Sequence, residues 1–280
     1  MIIEEAIKSA ANYLKDNGYL HGDKEAEIIL SEILEIDTAS IYSKYEEKLN
    51  DELLERFNEA VERRIKGEPL AYIVGNQVFM GWKLNCDSRA LIPRPETEQL
   101  TELMIRQIRS LGSAEPKILE IGTGSGAMAL ALKKYFPASQ ITATDISEEA
   151  LELAQENAKL LKVDINFIES DLFEKVEGKF DCIVANLPYV PTPKLAFVSD
   201  QILDFEPMVA IDAGEDGLKY ITPFLENIGK HLSEKAVVGI EFWHTHGDDV
   251  RDLVEKYLPD YSVEVHKDLA GFDRFAVIKN

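Results

Sequence analysis

The sequence predicts an α/β protein in which a mostly parallel sheet follows a small helical region. After Pro116, segments with strand and helix patterns alternate, which is typical of parallel sheets covered by helices on both faces. Residues 2–66 instead carry apolar residues at helical spacing, with few glycines or prolines and no strand-like alternation. The last two strand patterns have no helix between them and predict an antiparallel hairpin at the sheet edge.

The helical region contains three predicted helices, each with one apolar face. The third helix is expected to begin at Asn50, because an asparagine side chain is a good N-cap. The inward-facing positions are Ile3, Ile7, Ala10 and Leu14, then Ala26, Ile29, Leu30 and Ile33, and then Leu53, Phe57, Ala60 and Val61. We therefore expect residues 1–75 to form a small all-helical domain.

A β-hairpin and a helix that starts at a proline come next. Residues 77–79 and 82–84 have strand character and meet at a turn formed by Met80 and Gly81. Pro95 suits the first turn of a helix that extends to Leu111. We expect residues 76–92 to form a hairpin linker and residues 93–280 to form the domain that contains the main sheet.

This main domain contains seven candidate strands and four further helix starts. The helices are expected to begin near Ser125, Ser147, Gly217 and Gly247. The strand patterns cover residues 117–121, 140–144, 165–169, 180–185, 236–242, 261–266 and 274–278.

Composition limits the partners and the compartment that we expect. The formal net charge is −21, with 51 acids against 30 Lys and Arg, which favours a basic protein partner over direct binding to nucleic acid. Cys86 and Cys182 are the only cysteines, so we expect a reducing, cytoplasmic environment. No apolar run is long enough for a membrane span, and the N-terminus does not resemble a signal peptide. His244 and His246 lack a third ligand, so no metal site is predicted.

A glycine-rich turn follows the first strand of the alternating region and predicts a cofactor site. Glycine allows positive φ and close approach of the backbone to a ligand, so a nucleotide-like cofactor is expected here. The spacing also fits a dinucleotide whose pyrophosphate meets a helix N-terminus. The turn comprises Glu120, Ile121, Gly122, Thr123, Gly124, Ser125 and Gly126.

Acids that follow the next two strands are candidates for the rest of the cofactor site. Asp145 ends the second strand, where a carboxylate can accept hydrogen bonds from both ribose hydroxyls. Ser147 is the better cap for the next helix, which leaves Asp145 free. Asp171 is expected to meet the adenine amine with Leu172 against the ring, although Asp171 also fits a capping box.

A polar loop after the fourth strand predicts a site for a planar nitrogen. An amide nitrogen is a poor nucleophile because its lone pair is delocalised, and acceptors on its hydrogens can turn that lone pair toward an electrophile. The side-chain oxygen of Asn186 and the carbonyl of Leu187 can accept these hydrogens, while Pro188 stiffens the loop. Tyr189 can lie against the planar acceptor group. With the glycine turn, this loop favours methyl transfer from S-adenosylmethionine over the chemistry of a nicotinamide oxidoreductase.

Several motifs resemble those of the HemK-type glutamine methyltransferases, which modify peptide chain release factors. The resemblance covers essentially the whole chain, and its most specific part is LIPRPETE at residues 91–98. The other matching segments are residues 64–75, Phe79 with Gly81, Glu206-Pro207, Gly214 to Leu218, and residues 268–274.

The resemblance implies a fold, a reaction and site residues. The fold is a seven-stranded, Rossmann-like class I methyltransferase sheet behind a helical domain that recruits the substrate. The substrate is the glutamine of the Gly-Gly-Gln loop in class I release factors, methylated at its side-chain nitrogen N5, and the cofactor product is S-adenosylhomocysteine. An acid at the position of Glu120 organises the methionine end of the cofactor. The glycine turn, Asp145, Leu172 and Asn186 would contact the cofactor, and Asn186, Leu187, Pro188, Tyr189 and Phe79 would hold the glutamine.

Two departures from the family pattern leave alternatives open. Leu187 stands where the family normally has proline, and residues 241–244 are bulkier than the usual Glu-Ile-Gly. The sequence Asn-Leu-Pro-Tyr is also similar to motifs of ribosomal RNA adenine methyltransferases, so an adenine-N6 methyltransferase acting on RNA or DNA is the first alternative. A non-catalytic module that binds cofactor and release factor without turnover is the second.

Overall fold

The structure is a computed structural model that describes residues 1–280, and the chain forms two compact units. One unit comprises Met1–Asn76 and Ser199–Phe205, and the other comprises Gln77–Val198 and Glu206–Asn280. None of the helices is both long enough and apolar enough to span a lipid bilayer.

Ten α-helices and nine strands make up the two units. The helices are α1 (Ile3–Asp16), α2 (Gly22–Ile33), α3 (Asp51–Ile65), α4 (Leu70–Val74), α5 (Pro95–Leu111), α6 (Ala127–Tyr135), α7 (Glu148–Leu161), α8 (Asp200–Phe205), α9 (Ile221–Ile228) and α10 (Gly247–Tyr257). The strands are β1 (Asn76–Phe79), β2 (Trp82–Asn85), β3 (Lys117–Ile121), β4 (Gln140–Asp145), β5 (Asn166–Glu169), β6 (Phe180–Ala185), β7 (Leu232–Glu241), β8 (Ser262–Lys267) and β9 (Asp273–Lys279).

The three predicted N-terminal helices are confirmed as α1, α2 and α3. Their apolar faces pack into one core, in which Leu14, Leu30 and Phe57 are fully buried. Asn50 caps α3 as predicted, because its side chain accepts a hydrogen bond of 2.8 Å from the backbone N–H of Leu53. The short helices α4 and α8 and the 3₁₀ helix Thr38–Lys44 were not predicted, since such short segments carry too few residues for a periodic pattern.

A buried arginine ties the segment Ser199–Phe205 to the helical unit. The Arg64 side chain donates to both carboxylate oxygens of Glu25, at 2.6 and 3.2 Å, and to the Gln201 side chain at 3.2 Å. Arg64 also lies over the Tyr19 ring, 4.3 Å from its centroid. The recruiting role that the sequence assigns to residues 1–75 stays a prediction.

The predicted seven-stranded α/β fold is confirmed in the second unit. The strand order is β5-β4-β3-β6-β7-β9-β8, and the first five of these strands are parallel. Strand β9 is antiparallel to both β7 and β8, so the predicted antiparallel hairpin lies at the sheet edge. Because β3 lies between β4 and β6, the residues that follow these three strands are brought to one edge of the sheet.

The β1–β2 hairpin and helix α5 form as predicted. Met80 and Gly81 both have positive φ, +49° and +84°, as in the two-residue turns that suit hairpins. The backbone N–H of Met80 donates to the carboxylate of Glu98, so the hairpin turn is fastened to α5. Pro95 occupies the first turn of α5.

Two predicted helix starts are displaced. Helix α6 begins at Ala127 rather than near Ser125, because Gly126 has φ +83° and lies outside the helix. The helix predicted near Gly217 begins at Ile221, because Gly217 has φ +75° in a turn closed by a hydrogen bond to Gly214. The starts near Ser147 and Gly247 are confirmed by α7 and α10.

Candidate active site

A cleft opens at the carboxyl edge of the parallel strands, where β3, β4 and β6 end. The cleft wall contains most of the residues predicted from sequence, and these come from the ends of β3, β4, β5 and β6 and the turns that follow them. They are Glu120, Gly122, Thr123, Gly124, Ser125, Asp145, Asp171, Leu172, Asn186, Leu187 and Pro188. The structure therefore brings the predicted cofactor turn to the same cleft as the loop after β6, residues 186–189, which we call the acceptor loop.

The three glycines of the turn have positive φ but serve different purposes. A Cβ on Gly124 would meet only Ala90, at 3.8 Å, so this glycine leaves open backbone surface toward the cleft. A Cβ on Gly122 would lie 3.0 Å from the Leu187 side chain. A Cβ on Gly126 would lie 3.1 Å from Ala154, so Gly126 permits helix packing and does not line the cleft. The part of the turn that fits a ligand is therefore centred on Gly124.

Glu120 is a buried acid on the cleft wall. Its Oε2 accepts hydrogen bonds from the Thr123 hydroxyl at 2.6 Å and from the Ala129 backbone N–H at 2.9 Å. Burial raises the pKa of Glu120 to about 8, because a carboxylate away from water is costly to ionise. A cationic ligand in the cleft would relieve that cost.

Asp145 does not cap α7, as predicted from the sequence, but its carboxylate accepts hydrogen bonds from the backbone. Ser147 does cap α7, but its backbone N–H also donates to Asp145 Oδ1 at 3.0 Å. The N–H of Gly124 donates to Asp145 Oδ2 at 2.8 Å, which fixes the carboxylate beside the glycine turn. Burial raises the pKa of Asp145, and the three backbone N–H groups that hydrogen-bond it, including that of Ile146, oppose the shift.

Asp171 and Leu172 form the far side of the cleft. Asp171 is exposed, and its backbone carbonyl accepts from the N–H of Glu174, so the predicted capping box is present only as a backbone turn. Leu172 has φ +45°, a conformation that side chains other than glycine rarely adopt. The Ser170 hydroxyl donates to the Leu172 carbonyl at 3.2 Å and helps to hold this turn.

Asn186 belongs to a chain of hydrogen bonds that we call the Asn186 network, made of Asn186, Thr97, Glu241 and Tyr189. Asn186 Nδ2 donates to Thr97 Oγ1 at 2.9 Å, and Thr97 Oγ1 donates to Glu241 Oε2 at 2.9 Å. The Tyr189 hydroxyl donates to Glu241 Oε1 at 2.8 Å. Burial raises the pKa of Glu241 to about 7 and raises that of Tyr189 well above its usual range.

Leu187 replaces the proline of the family pattern and has a structural role of its own. Its side chain is buried in the core cluster that includes Ile121 and Ile183, against Gly122 of the glycine turn. The loop that follows is held by backbone hydrogen bonds, since the N–H of Val190 donates to the Ile211 carbonyl and the N–H of Ala213 donates to the Val190 carbonyl. Burial of Leu187 and these backbone hydrogen bonds stiffen the loop.

Two predicted substrate residues are not on the cleft wall. Phe79 is only 1% exposed and packs in the core cluster that includes Leu100 and Met104. Tyr189 turns its hydroxyl toward Glu241 and its ring toward Trp243, with centroids 6.4 Å apart. Their contact with a substrate stays a prediction.

Sequence comparison places the chain among proteins of one named activity. Residues 5–75 match the family model described as PrmC N-terminal domain, and residues 94–202 match that described as methyltransferase small domain. The release factor glutamine methyltransferase of Bacillus cereus is 33% identical over 278 residues, covering 98% of this chain and 98% of that protein. The enzyme of the same name in Bacillus subtilis is 35% identical, covering 97% of this chain and 96% of that protein. This chain belongs to the release factor glutamine methyltransferase family.

The family assignment confirms the resemblance seen in the sequence motifs, and the fold agrees with it. A solved methyltransferase from Pyrococcus furiosus has a similar fold, with a TM-score of 0.51 and 21% identity, covering 71% of this chain and 89% of that chain. No group of three or more His, Cys, Asp or Glu side chains in the structure is arranged to hold a metal ion.

The family motif LIPRPETE can now be explained by its contacts. Arg94 donates to the buried Glu206 at 2.5 Å, and the N–H of Ile92 donates to the other Glu206 oxygen at 3.0 Å. Thr97 contacts Asn186, and Glu98 fastens the hairpin turn at Met80. The motif therefore shapes one wall of the cleft and connects it to the Glu206-Pro207 segment.

Sequence reasoning missed several residues of this release factor methyltransferase site. The sequence singles out Glu241 only as part of a bulky segment, and it predicts no partner for Arg94 or Thr97. Ile146 lines the cleft and is 54% exposed. Its position directly after Asp145 is a signal by which the sequence could have identified it. The other unpredicted wall residues include Met128, Val209, Ala210 and Tyr220.

Proposed function

We propose that this protein transfers a methyl group from S-adenosylmethionine to the side-chain nitrogen N5 of the glutamine in the Gly-Gly-Gln motif of class I peptide chain release factors. Family membership over the whole chain supports the reaction and the substrate class. The observation that carries the proposal is the position of Asn186 on the same cleft wall as the glycine turn. The adenine-N6 alternative is not favoured by the relatives, which are named for glutamine methylation.

The residues of the cleft fit S-adenosylmethionine. The open backbone at Gly124 gives room for a close ligand, and Asp145 presents a carboxylate suited to ribose hydroxyls. Glu120 suits the cationic methionine end, while Asp171, Leu172 and the exposed Ile146 suit adenine and its surroundings. When bound, the cofactor supplies an electrophilic methyl carbon on a sulfonium, and S-adenosylhomocysteine is left after transfer.

The acceptor loop would orient the glutamine amide. Asn186 Oδ1 and the Leu187 carbonyl would accept the two amide hydrogens, which fixes the plane of the amide so that the nitrogen lone pair, perpendicular to that plane, is directed at the methyl group. Holding the reactants in this geometry and excluding water account for much of the acceleration in such reactions. As the N–C bond forms, the bond between the methyl carbon and sulfur breaks, and the nitrogen then loses a proton to water. No residue on the wall must act as a strong base before the transfer.

The partner and the compartment are further parts of the proposal. A net charge of −21 favours a protein substrate with basic surface over direct contact with nucleic acid. Translation termination and the buried, unpaired thiols of Cys86 and Cys182 are consistent with the cytoplasm. We propose that the helical unit recruits the release factor.

Methylation of a release factor is the direct test of this function. We expect the purified protein and S-adenosylmethionine to add one methyl group to the Gly-Gly-Gln glutamine of a class I release factor, as mapped by peptide mass spectrometry. A factor whose glutamine is replaced by glutamate is the matched control and should stay unmodified. An unmodified natural factor, beside demonstrable cofactor binding, would contradict the proposed reaction.

The buried Glu120 predicts that cofactor binding releases a proton. With a pKa of about 8, Glu120 is mostly protonated at pH 7, and a cation placed against it lowers that pKa. Binding at pH 7 should therefore release up to about one proton from Glu120, and affinity should rise as pH increases toward 8. Calorimetry in buffers of different ionisation enthalpy measures the number of protons released on cofactor binding.

A Glu120→Gln variant is the control for that proton. It keeps the shape of the side chain but cannot titrate, so it should release fewer protons than the natural protein at the same pH. Equal proton release by both proteins would show that Glu120 does not face the cation.

A further inference from the structure

We infer that Thr97 and Glu241 are positioning residues that hold the Asn186 amide with its oxygen directed to the substrate. This inference rests on the proposed function, because it concerns how Asn186 receives the glutamine amide. It assigns a role to Thr97, the threonine of LIPRPETE, and to Glu241, the last residue of β7.

The two middle members of the Asn186 network, Thr97 and Glu241, are buried, and its outer members, Asn186 and Tyr189, are partly exposed. Thr97 is 7% exposed and Glu241 is 1% exposed, so water does not compete for their hydrogen bonds. The three elements involved are α5, the end of β7 and the loop after β6. Asn186 and Thr97 both line the cleft. The network thus connects the acceptor loop to the two elements beside it.

The number of available protons determines which way the Asn186 amide faces. An ionised Glu241 only accepts hydrogen bonds, so the single hydroxyl proton of Thr97 must be donated to it. The Thr97 oxygen can then only accept from Asn186, and the Asn186 group that faces it must be the NH₂. Asn186 Oδ1 is therefore on the side away from Thr97. A reversed amide would present NH₂ to the NH₂ of the substrate, and two donors repel each other.

Glu241 is held in this accepting role by its surroundings. Burial opposes ionisation of Glu241, but the hydrogen bonds from Tyr189 and Thr97 and the positive charge of Arg274 favour it, so the carboxyl is ionised above a pKa of about 7. This arrangement gives Tyr189 a place in the network although its ring does not line the cleft. The bulky residues after Glu241 are consistent with it, since Trp243 packs beside the Tyr189 ring.

Protonation of Glu241 should reverse the direction of the network. The groups that face Glu241 are Tyr189, Thr97, Arg274 and Glu96. Because burial raises the pKa of Glu241 to about 7, the carboxyl becomes protonated, and able to donate, as the pH falls below that value. A proton donated to Thr97 would free the threonine hydroxyl to donate to Asn186, which favours the reversed amide. Turnover at saturating cofactor should therefore fall as the pH decreases through about 7.

Substitution of Thr97 tests the inference. Thr97→Val keeps the shape but removes the hydroxyl, and we expect kcat to fall about tenfold or more while cofactor affinity changes little. Thr97→Ser restores the hydroxyl and should return kcat to within about threefold of the natural protein. In Thr97→Val the fall in turnover below pH 7 should also disappear, because no hydroxyl then links Glu241 to Asn186 by hydrogen bonds.

Thr101→Val is the matched control. Thr101 lies one turn further along α5, is fully buried, and donates its hydroxyl to the Thr97 carbonyl rather than to the network. Its substitution also removes a buried hydroxyl and should leave kcat and the pH profile nearly unchanged. A Thr97→Val enzyme with natural kcat and pH profile would overturn the inference.

A measurement without substrate separates this inference from the proposed function. The side-chain amide signals of Asn186, identified by their loss in Asn186→Asp, should shift in the NMR spectrum of Thr97→Val and stay in place in that of Thr101→Val. Unchanged signals in Thr97→Val would overturn the inference whatever the substrate. Failure of the natural protein to methylate a release factor, with the expected shift present, would overturn the proposed function alone.

Discussion

Replacement of Asn186 by alanine is expected to abolish methyl transfer while cofactor binding persists. The side chain would supply one of the two acceptors that orient the glutamine amide, and its loss frees that amide to rotate. A misplaced reacting group can reduce the rate by roughly a hundredfold or more, so we expect at least that loss in kcat. The cleft residues Glu120, Asp145 and Gly124 are unchanged, so cofactor affinity measured by calorimetry should fall much less than kcat.

Asn227→Ala provides the control for this variant. Asn227 is a half-buried residue of α9 whose side chain donates to the carbonyl of Pro223 in its own helix. Its replacement should leave both kcat and cofactor affinity close to those of the natural protein. If Asn186→Ala lost cofactor binding as strongly as turnover, Asn186 would be part of the cofactor site rather than an acceptor for the amide.

Replacement of Gly217 by alanine is expected to destabilise the protein and to displace the acceptor loop. A Cβ at this position would lie 2.6 Å from His246 Cε1, 2.8 Å from the Tyr189 carbonyl oxygen and 2.9 Å from Pro191 Cγ. Gly217 also has φ +75°, which is costly for alanine. Adding the conformational and the overpacking costs, we expect a loss of about 2 to 5 kcal/mol in the free energy of unfolding, measured by denaturant titration.

Gly271→Ala isolates the steric part of that effect. Gly271 has φ +87°, but a Cβ there would meet no atom within 4 Å. Its replacement should cost only the conformational part, about 1 to 2 kcal/mol. Equal losses of stability in the two variants would show that the neighbours of Gly217 adjust without cost. Since Tyr189 belongs to the acceptor loop and Pro191 follows it, kcat should fall in Gly217→Ala and stay near normal in Gly271→Ala.

Much of the fold could be predicted because local patterns and tertiary structure agree. The capping side chains of Asn50 and Ser147, the proline at the start of α5 and the Met80-Gly81 turn all form where the residues predict them. Predictions failed where a local signal was ambiguous. The pattern around Gly217 predicts a helix start, but packing against Tyr189 and His246 requires a glycine in a turn there.

The candidate site was predicted only in part, because here too some local signals are ambiguous. The glycine turn, Asp145 and Asn186 each follow a strand, and parallel strands bring such residues to one edge. Gly126 also carries the glycine signal, but its missing side chain serves contact with Ala154. Phe79 matches a family motif, yet its burial in the core follows from the hairpin's packing against α5. Residue type alone does not distinguish a ligand contact from a packing contact.

The sequence by itself determined the α/β class, the position of the glycine turn and the family, because these depend on periodicity and short motifs. Only the tertiary structure decided which distant residues complete the cleft. Thr97 and Glu241 are 144 positions apart, and Arg94 and Glu206 are 112 positions apart. Such pairs have no periodic signature, because a buried hydrogen bond depends on where separate strands and helices meet. The direction in which Asn186 presents its amide is therefore a property of the folded chain.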